Sequence, residues 1–212
     1  MKIEEIRPLR IPGIQVICFE RFIDKRGYFT ETFRQEQLAP VLGGSIEQMN
    51  ESFSLKNTVR GLHFQWNPHM GKLVRTLRGK MVDLFLDIRM ESETFGKIGA
   101  YGMPMTSTGF PVEEWIWVPP GFAHGNFFEE DTHIQYACTG KYSQGNEACI
   151  SPLAPDIDWS LCPSAFVERF KAVLASSELK ITDKDRNGLT VAQWKNDPRA
   201  ENFQPWNLPV RE

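Results

Sequence analysis

The chain is poor in cysteine. Its 212 residues hold four, Cys18, Cys138, Cys149 and Cys162, and no CxxC pair among them encodes a zinc ribbon or a dithiol redox site. A chain of this length can build its own core without disulfides, so the four read as reduced thiols of a cytoplasmic protein. It also lacks any run of about 20 apolar residues able to span a bilayer. Lys2, Glu4, Glu5, Arg7 and Arg10 interrupt the segment where a secretory leader would be apolar. Nor is there an excess of one charge. The 24 Lys and Arg against 27 Asp and Glu leave a net charge of −3, which gives no general attraction to nucleic acid or to a membrane surface. An anionic ligand must therefore be held by local basic groups. Histidine is scarce too: there are four, so the setting of each carries weight.

With 41% hydrophobic and 24% charged residues, the composition is that of a globular protein rather than of a disordered or coiled-coil chain. A chain of this size buries roughly 70% of the surface it exposes when unfolded, and one domain over residues 1–212 is expected. Between residues 14 and 160 the apolar residues alternate or cluster in stretches too short for most helices, with Gly and Pro between them. Strands are predicted at 14–19, 46–49, 72–77, 80–88, 115–118 and 133–138, most of them rich in β-branched or aromatic residues. Many short strands at close spacing predict a sandwich or a barrel. A short helix is predicted over 36–42, stopped by Gly43 and Gly44. A second begins at Ser164, read as its N-cap after Pro163, with Phe166, Phe170, Val173 and Leu174 at helical spacing. Beyond residue 186 the chain reads as polar loop, with Trp194, Phe203 and Trp206 as anchors to a surface.

Two histidines sit in informative contexts: His63 in Arg60-Gly-Leu-His63-Phe-Gln and His124 in Pro-Pro-Gly-Phe-Ala-His124-Gly. An imidazole suits proton transfer near neutrality, and equally a structural hydrogen bond. Arg60, Lys72 and Arg75 recur nearby, a pattern suited to an anionic ligand, and Gly61 and Gly71 would permit close backbone approach. Strand alternation puts Lys72, Val74 and Thr76 on one face and Leu73, Arg75 and Leu77 on the other, so Lys72 and Arg75 cannot both point inward. Asp83 and Asp87 share one face of the apolar run Met81-Val-Asp-Leu-Phe-Leu-Asp-Ile. Burying an unpartnered carboxylate costs several kcal/mol, so these two predict either a polar cavity, in which Asp83 could orient His63 or another polar group, or an exposed strand face. A metal-binding jelly roll would need converging histidines. The chain has no His-x-His pair, and a Pro-containing stretch separates His63 from His69, so no metal is expected.

Taken in order, the motifs Asp24-Lys-Arg-Gly-Tyr-Phe-Thr-Glu31, Gln48-Met-Asn50, Val59-Arg-Gly-Leu-His-Phe-Gln65 and Gly71-Lys-Leu-Val-Arg75 begin a set that resembles the dTDP-4-dehydrorhamnose 3,5-epimerase family. The set continues through Asp87-Ile-Arg89, Thr94-Phe-Gly96 and Trp117-Val-Pro-Pro-Gly-Phe-Ala-His-Gly125 to the stretch from Tyr136 to Glu147. The resemblance spans roughly residues 10 to 160. It implies an all-β, cupin-type jelly-roll sandwich with a core at about 10–160 and a C-terminal helix, near 164–180, and tail within 161–212. It also implies a homodimer that uses no cofactor and inverts C3 and C5 of dTDP-4-keto-6-deoxyglucose, with a single-centre epimerase, an epimerase of another nucleotide-linked 4-keto sugar and a non-catalytic nucleotide-sugar binding protein as alternatives. By the same resemblance His63 is the base, Tyr136 the opposing acid and Lys72 the stabiliser of an enolate oxygen. The carboxylate partner of His63 matches Asp185 in Ile181-Thr-Asp-Lys-Asp185, with Asp183 and Asp83 as alternatives. Arg26 and Arg60 match nucleotide and phosphate contacts, Glu31, Gln48 and Asn50 nucleotide or sugar contacts, and His124 a substrate-binding histidine. Glu147 matches a binding carboxylate, Tyr142 an aromatic that stacks on the base, and Lys184 falls in the segment matched for substrate binding. The sequence departs from the family pattern at Asn126, where Phe is usual, at Lys141, where an aromatic is common, and at Ser151-Pro152.

Overall fold

The computed structural model describes residues 1–104 and 109–208. Its strands are β1 (Ile3–Pro8), β2 (Gln15–Glu20), β3 (Phe22–Asp24), β4 (Gly27–Phe29), β5 (Gln48–Ser54), β6 (Thr58–Gln65) and β7 (Lys72–Arg78). They continue with β8 (Lys80–Asp87), β9 (Ile98–Pro104), β10 (Val112–Val118), β11 (Phe122–Phe128), β12 (Thr132–Cys138) and β13 (Glu147–Cys149). Two antiparallel sheets face each other: six strands in the order β1-β2-β10-β7-β12-β5, and five in the order β13-β6-β11-β8-β9. This is the all-β sandwich of a cupin-type jelly roll, with β3 and β4 forming a separate hairpin.

Side-chain alternation divides each strand between two environments. On β8, Met81 and Phe85 join Val74 of β7, Ile116 of β10 and Ile134 of β12 in the core between the sheets. Val82, Leu84 and Leu86 point the other way, into a second core beneath the C-terminal helices. β8 is thus buried on both faces, which explains its nearly continuous apolar sequence. Asp83 and Asp87 share the inner face and are completely enclosed, so the exposed-face reading fails. Asp87 is neutralised by Arg89, with Ser92 and Thr94 donating to it as well. On the far side of the six-stranded sheet, Trp115, Trp117, Leu73 and Phe19 form a third core with Leu38 and Leu42 of helix α1 (Gln35–Leu42). Gly43 ends α1 in the left-handed region at φ 70°, where its amide reaches the Ala39 carbonyl.

Several boundaries differ from expectation. β5 runs through Ser54 because its residues alternate between half-buried and exposed, a pattern that continues past Met49 through polar side chains. Helix α2 (Ser164–Leu174) has Pro163 at its N-cap, so Ser164 is its first helical residue, and it stops before residue 180. The C-terminal stretch is not loop. It holds α3 (Asp183–Arg186), α4 (Val191–Lys195) and a 3-10 turn (Pro198–Phe203). A capping box between Thr190 and Gln193 starts α4, and Asp197 caps the turn ahead of Pro198. Trp194 and Phe203 anchor this region by full burial against Phe64 of β6, whereas Trp206 is 64% exposed. Residues 209–212 of the tail lie outside the described residues.

Candidate active site

The inner faces of β6, β7, β8, β11 and β12 project His63, Lys72, Asp83, His124, Asn126 and Tyr136 between the sheets, in a region otherwise filled by apolar side chains. Buried polar groups there must satisfy one another or enclose a ligand. His63, Lys72, His124, Tyr136, Asp185, Arg60 and Lys184 line one cavity of about 300 Å³, together with Asn126, Ser52 and Thr182. An adjoining cavity of about 230 Å³ shares His63, Lys72, Tyr136 and Lys184 and adds Gln48, Asn50, Tyr142 and Glu147. A larger cavity of about 490 Å³ lies elsewhere, beside Gly13, Arg89, Pro119 and Leu208, and contains no paired acid and base among the described residues.

Close backbone approach makes this geometry possible. His63 and His124 are register partners on β6 and β11. At Gly61, whose φ is +106°, a Cβ would lie 2.6 Å from the Gly125 Cα and 2.7 Å from the His124 carbonyl oxygen, so neither strand could keep its path with a side chain there. At Gly71 a Cβ would run into the Trp117 indole and lie 2.9 Å from the Pro120 Cδ.

His63 Nε2 is 2.6 Å from Asp185 Oδ1, which identifies Asp185, rather than Asp183 or Asp83, as the carboxylate beside this histidine. Asp185 is held by a local device: Thr182 caps α3 by accepting the Asp185 amide at 3.2 Å. Desolvation pushes the Asp185 carboxyl up, but the bonds from His63, from Thr182 and from the Gly61 amide outweigh it, and its pKa falls below the usual carboxylate value. An ionised carboxylate can only accept, so Nε2 is the donor in this contact. Cys149 lies behind this pair, its Sγ 3.9 Å from Asp185 Oδ1. Burial, with the nearby Asp185 charge, raises its thiol pKa to about 12.

Lys72 and Arg75 point to opposite faces, as alternation requires. Burial lowers the Lys72 pKa, opposed by Cys138 and by the negative charges of Asp83 and Glu147. Arg75 lies outside the sandwich between Glu113 and Gln135, stacked on Trp115. Burial also raises the Tyr136 phenol, with Arg60 acting against it, so Tyr136 is a protonated donor at neutral pH. His124 meets Asp83 at 2.8 Å, and Asn126 donates to the same carboxylate oxygen at 2.9 Å.

At the cavity mouth Glu147 Oε1 accepts from Lys184 at 2.9 Å and from the exposed Tyr142 hydroxyl at 3.0 Å. The Tyr142 amide donates to Gln48, whose side-chain amide donates to Asn50. Arg60 is tied to Ser54. Arg26 and Glu31 are not brought to either cavity: Arg26 is exposed and folds back onto Asp24, and Glu31 pairs with Arg34 and the amino terminus. Sequence reasoning left Ser52 and Thr182 out of the site. Thr182 was detectable as a threonine three residues ahead of Asp185, the spacing of an N-cap and its N3 acid.

A family model described as dTDP-4-dehydrorhamnose 3,5-epimerase matches residues 8–193. The enzyme of that name from Methanothermobacter thermautotrophicus is 34% identical over 197 residues, covering 91% of this chain and 92% of the relative. Its counterpart from Pseudomonas aeruginosa is 35% identical over 191 residues, covering 87% and 94%. Among solved structures, a dTDP-6-deoxy-D-glucose-3,5-epimerase from Legionella pneumophila in complex with dTDP-4-keto-L-rhamnose superimposes with a TM-score of 0.75 at 28% identity, covering 92% of this chain and 96% of that one.

Proposed function

The chain belongs to the dTDP-4-dehydrorhamnose 3,5-epimerase family, and on that premise we propose that it converts dTDP-4-keto-6-deoxyglucose to dTDP-4-keto-rhamnose by inverting C3 and C5, without a cofactor. The observation that carries the assignment of roles is the 2.6 Å contact of His63 with an ionised Asp185 in a cavity also walled by Lys72 and Tyr136. A C4 ketone acidifies the protons on C3 and C5. His63 Nδ1 takes one of them, and Asp185 fixes the ring's tautomer and stabilises the resulting imidazolium. The electron pair of the broken C–H bond moves onto the C4 oxygen, where the Lys72 ammonium offsets the developing charge. The Tyr136 phenol returns a proton to the opposite face of the carbon, which inverts it. Once the imidazolium has given its proton to solvent and the phenolate has taken one back from it, the same cycle at the second carbon completes the reaction.

Arg60 and Lys184 supply cationic charge for the diphosphate, and a guanidinium fork suits its oxygens. Gln48, Asn50, Tyr142 and Glu147 border the adjoining cavity and would take the nucleoside, with Tyr142 exposed for stacking. His124 would bind the sugar. Arg26 and Glu31 belong in this account through a homodimer in which the β3–β4 hairpin and the segment after it reach the other subunit's site. The exposure of Phe22, Ile23, Tyr28, Phe29 and Phe33 around that hairpin favours such pairing. The whole chain then acts as one epimerase domain in the cytoplasm, where its four cysteines stay free.

The test is NMR of dTDP-4-keto-6-deoxyglucose incubated with the protein in deuterated water. Deuterium entering at both C3 and C5 is the expected result. Entry at one carbon alone would make the protein a single-centre epimerase, and entry at neither would overturn the reading.

A further inference from the structure

Cys149 has no part in the proton transfer, yet it stands directly opposite His63 in the pairing of β13 with β6. Directly opposed residues send their side chains to the same face of a sheet. Helix α3 delivers Asp185 to the same point, and one donor atom from each of the three lies within 4.8 Å of the others. His63 Nε2 is 2.6 Å and Cys149 Sγ 3.9 Å from Asp185 Oδ1. Tetrahedral zinc, with bonds of about 2.0 Å to nitrogen and oxygen and about 2.3 Å to sulfur, sets its donors about 3.3–3.6 Å apart. Reaching that geometry takes shifts of about 1 Å or less in the two measured separations: His63 and Asp185 part slightly and the thiol closes in. An imidazole, thiol and carboxylate set is chemically suited to zinc and its neighbours, not to magnesium or calcium, which take oxygen ligands. His63 and Asp185 face the cavity, so an ion has a route in and a water can fill its fourth position.

We propose that His63, Cys149 and Asp185 form an inhibitory site for a thiophilic divalent cation such as Zn²⁺, which competes with catalysis for the imidazole. The inhibition rests on the role proposed above for His63; the binding does not. An ion on Nε2 replaces the proton that Asp185 accepts, and the proton left on the ring then occupies Nδ1. The base lone pair is lost. The Cys149 thiol coordinates as thiolate, so binding releases protons to solvent.

The experiment uses the metal-stripped full-length protein titrated with Co²⁺ and then Zn²⁺. One equivalent of Co²⁺ should produce the thiolate-to-cobalt charge-transfer absorption and the intense visible bands of a four-coordinate ion, and Zn²⁺ should abolish both. Epimerisation should fall in step with Zn²⁺ occupancy and return on chelation. Cys149→Ala and Cys149→Ser should keep metal-free turnover and lose the charge-transfer band. Loss of even an outer-shell partner weakens metal binding about 10–100-fold, so removing a ligand should raise the half-inhibitory Zn²⁺ concentration at least about tenfold. No charge-transfer band, or unchanged Zn²⁺ sensitivity in both variants, overturns the site. A full band with undiminished turnover at saturating Zn²⁺ overturns the inhibitory role. If the metal-free protein has no epimerase activity, the proposed function fails and the cobalt spectrum still decides the site.

Discussion

His124 Nε2 and Asp83 Oδ1 meet at 2.8 Å on neighbouring strands, both enclosed, and His124 stands beside His63 in the pairing of β11 with β6. Asn126 donates to the same Asp83 oxygen, while Oδ2 has no hydrogen-bond partner among the described residues. One buried carboxylate therefore organises two donors on β11 and adds negative charge near Lys72. Asp83→Asn keeps the shape but removes the charge. Hydrogen bonds to charged groups contribute about 1.5–3 kcal/mol, and unfolding free energy should fall by about that amount. On the sugar-binding role proposed for His124, KM should rise more than kcat falls. Urea titration and initial rates check this; an unchanged midpoint with unchanged KM would contradict it.

Tyr136→Phe separates the two halves of the reaction. The phenol's raised pKa keeps its proton available, and removing it leaves the base intact. Deuterium should still exchange into substrate through His63, while formation of inverted product drops by about 100-fold or more, the usual scale of a lost general acid. NMR of the sugar protons reads both quantities in one sample. Full-speed inversion in this variant would sink the role of Tyr136.

How far the site was readable depended on whether its geometry arises within one strand or between elements. Alternation along β7 separated Lys72 from Arg75, and alternation along β8 put Asp83 beside Asp87, because both relations are local and follow from the pleat. The pairing of Asp83 with His124 was not readable, since it depends on β8 and β11 being neighbours, which no local pattern encodes. The choice of Asp185 over Asp183 hinged on the Thr182 cap, which turns one carboxylate toward His63. In the C-terminal region, polar composition concealed real cap signals at Thr190 and Asp197, and a Trp at 194 looked no different from one at 206 until the cores were assembled. Arg26 and Glu31 match the family by motif, yet their own fold leads them away from the cavity.

Asp197 and Asp185 are among the carboxylates whose native pKa lies below the usual range. Arg199 and the capped amide lower the Asp197 pKa from 3.8 to about 2, and the Asp185 pKa is also lowered. A depressed native pKa stabilises the folded state above the ordinary carboxylate value and loses that contribution as pH falls through the native one. Stability should therefore decline between about pH 4 and pH 2 as Asp197 releases the 3-10 turn. Asp197→Asn should flatten this part of the profile and leave stability at pH 7 to pH 5 nearly independent of pH from this residue. Near-ultraviolet circular dichroism across an acid titration checks it, and identical acid slopes in both proteins would refute it.

Trp194 tests whether the C-terminal region supports catalysis from behind. It is fully buried, with its ring 4.6 Å from that of Phe64 and 5.5 Å from that of Phe203. Phe64 follows His63 on β6 and projects to the opposite face, so packing around Trp194 fixes the strand that carries the proposed base. Trp194→Ala should cost about 3–5 kcal/mol, as large aromatic truncations in cores do, and should lower kcat through a loosened His63. Its indole nitrogen is buried without a hydrogen-bond partner among the described residues, so Trp194→Phe forfeits no such bond and should recover much of both losses. Trp206→Ala is the control: at 64% exposure it should shift stability by no more than about 0.5 kcal/mol. Thermal melts and turnover of the three variants decide the matter. If Trp194→Ala were destabilised while retaining normal kcat, the C-terminal region would be a stabilising cover and not a support for the catalytic strand.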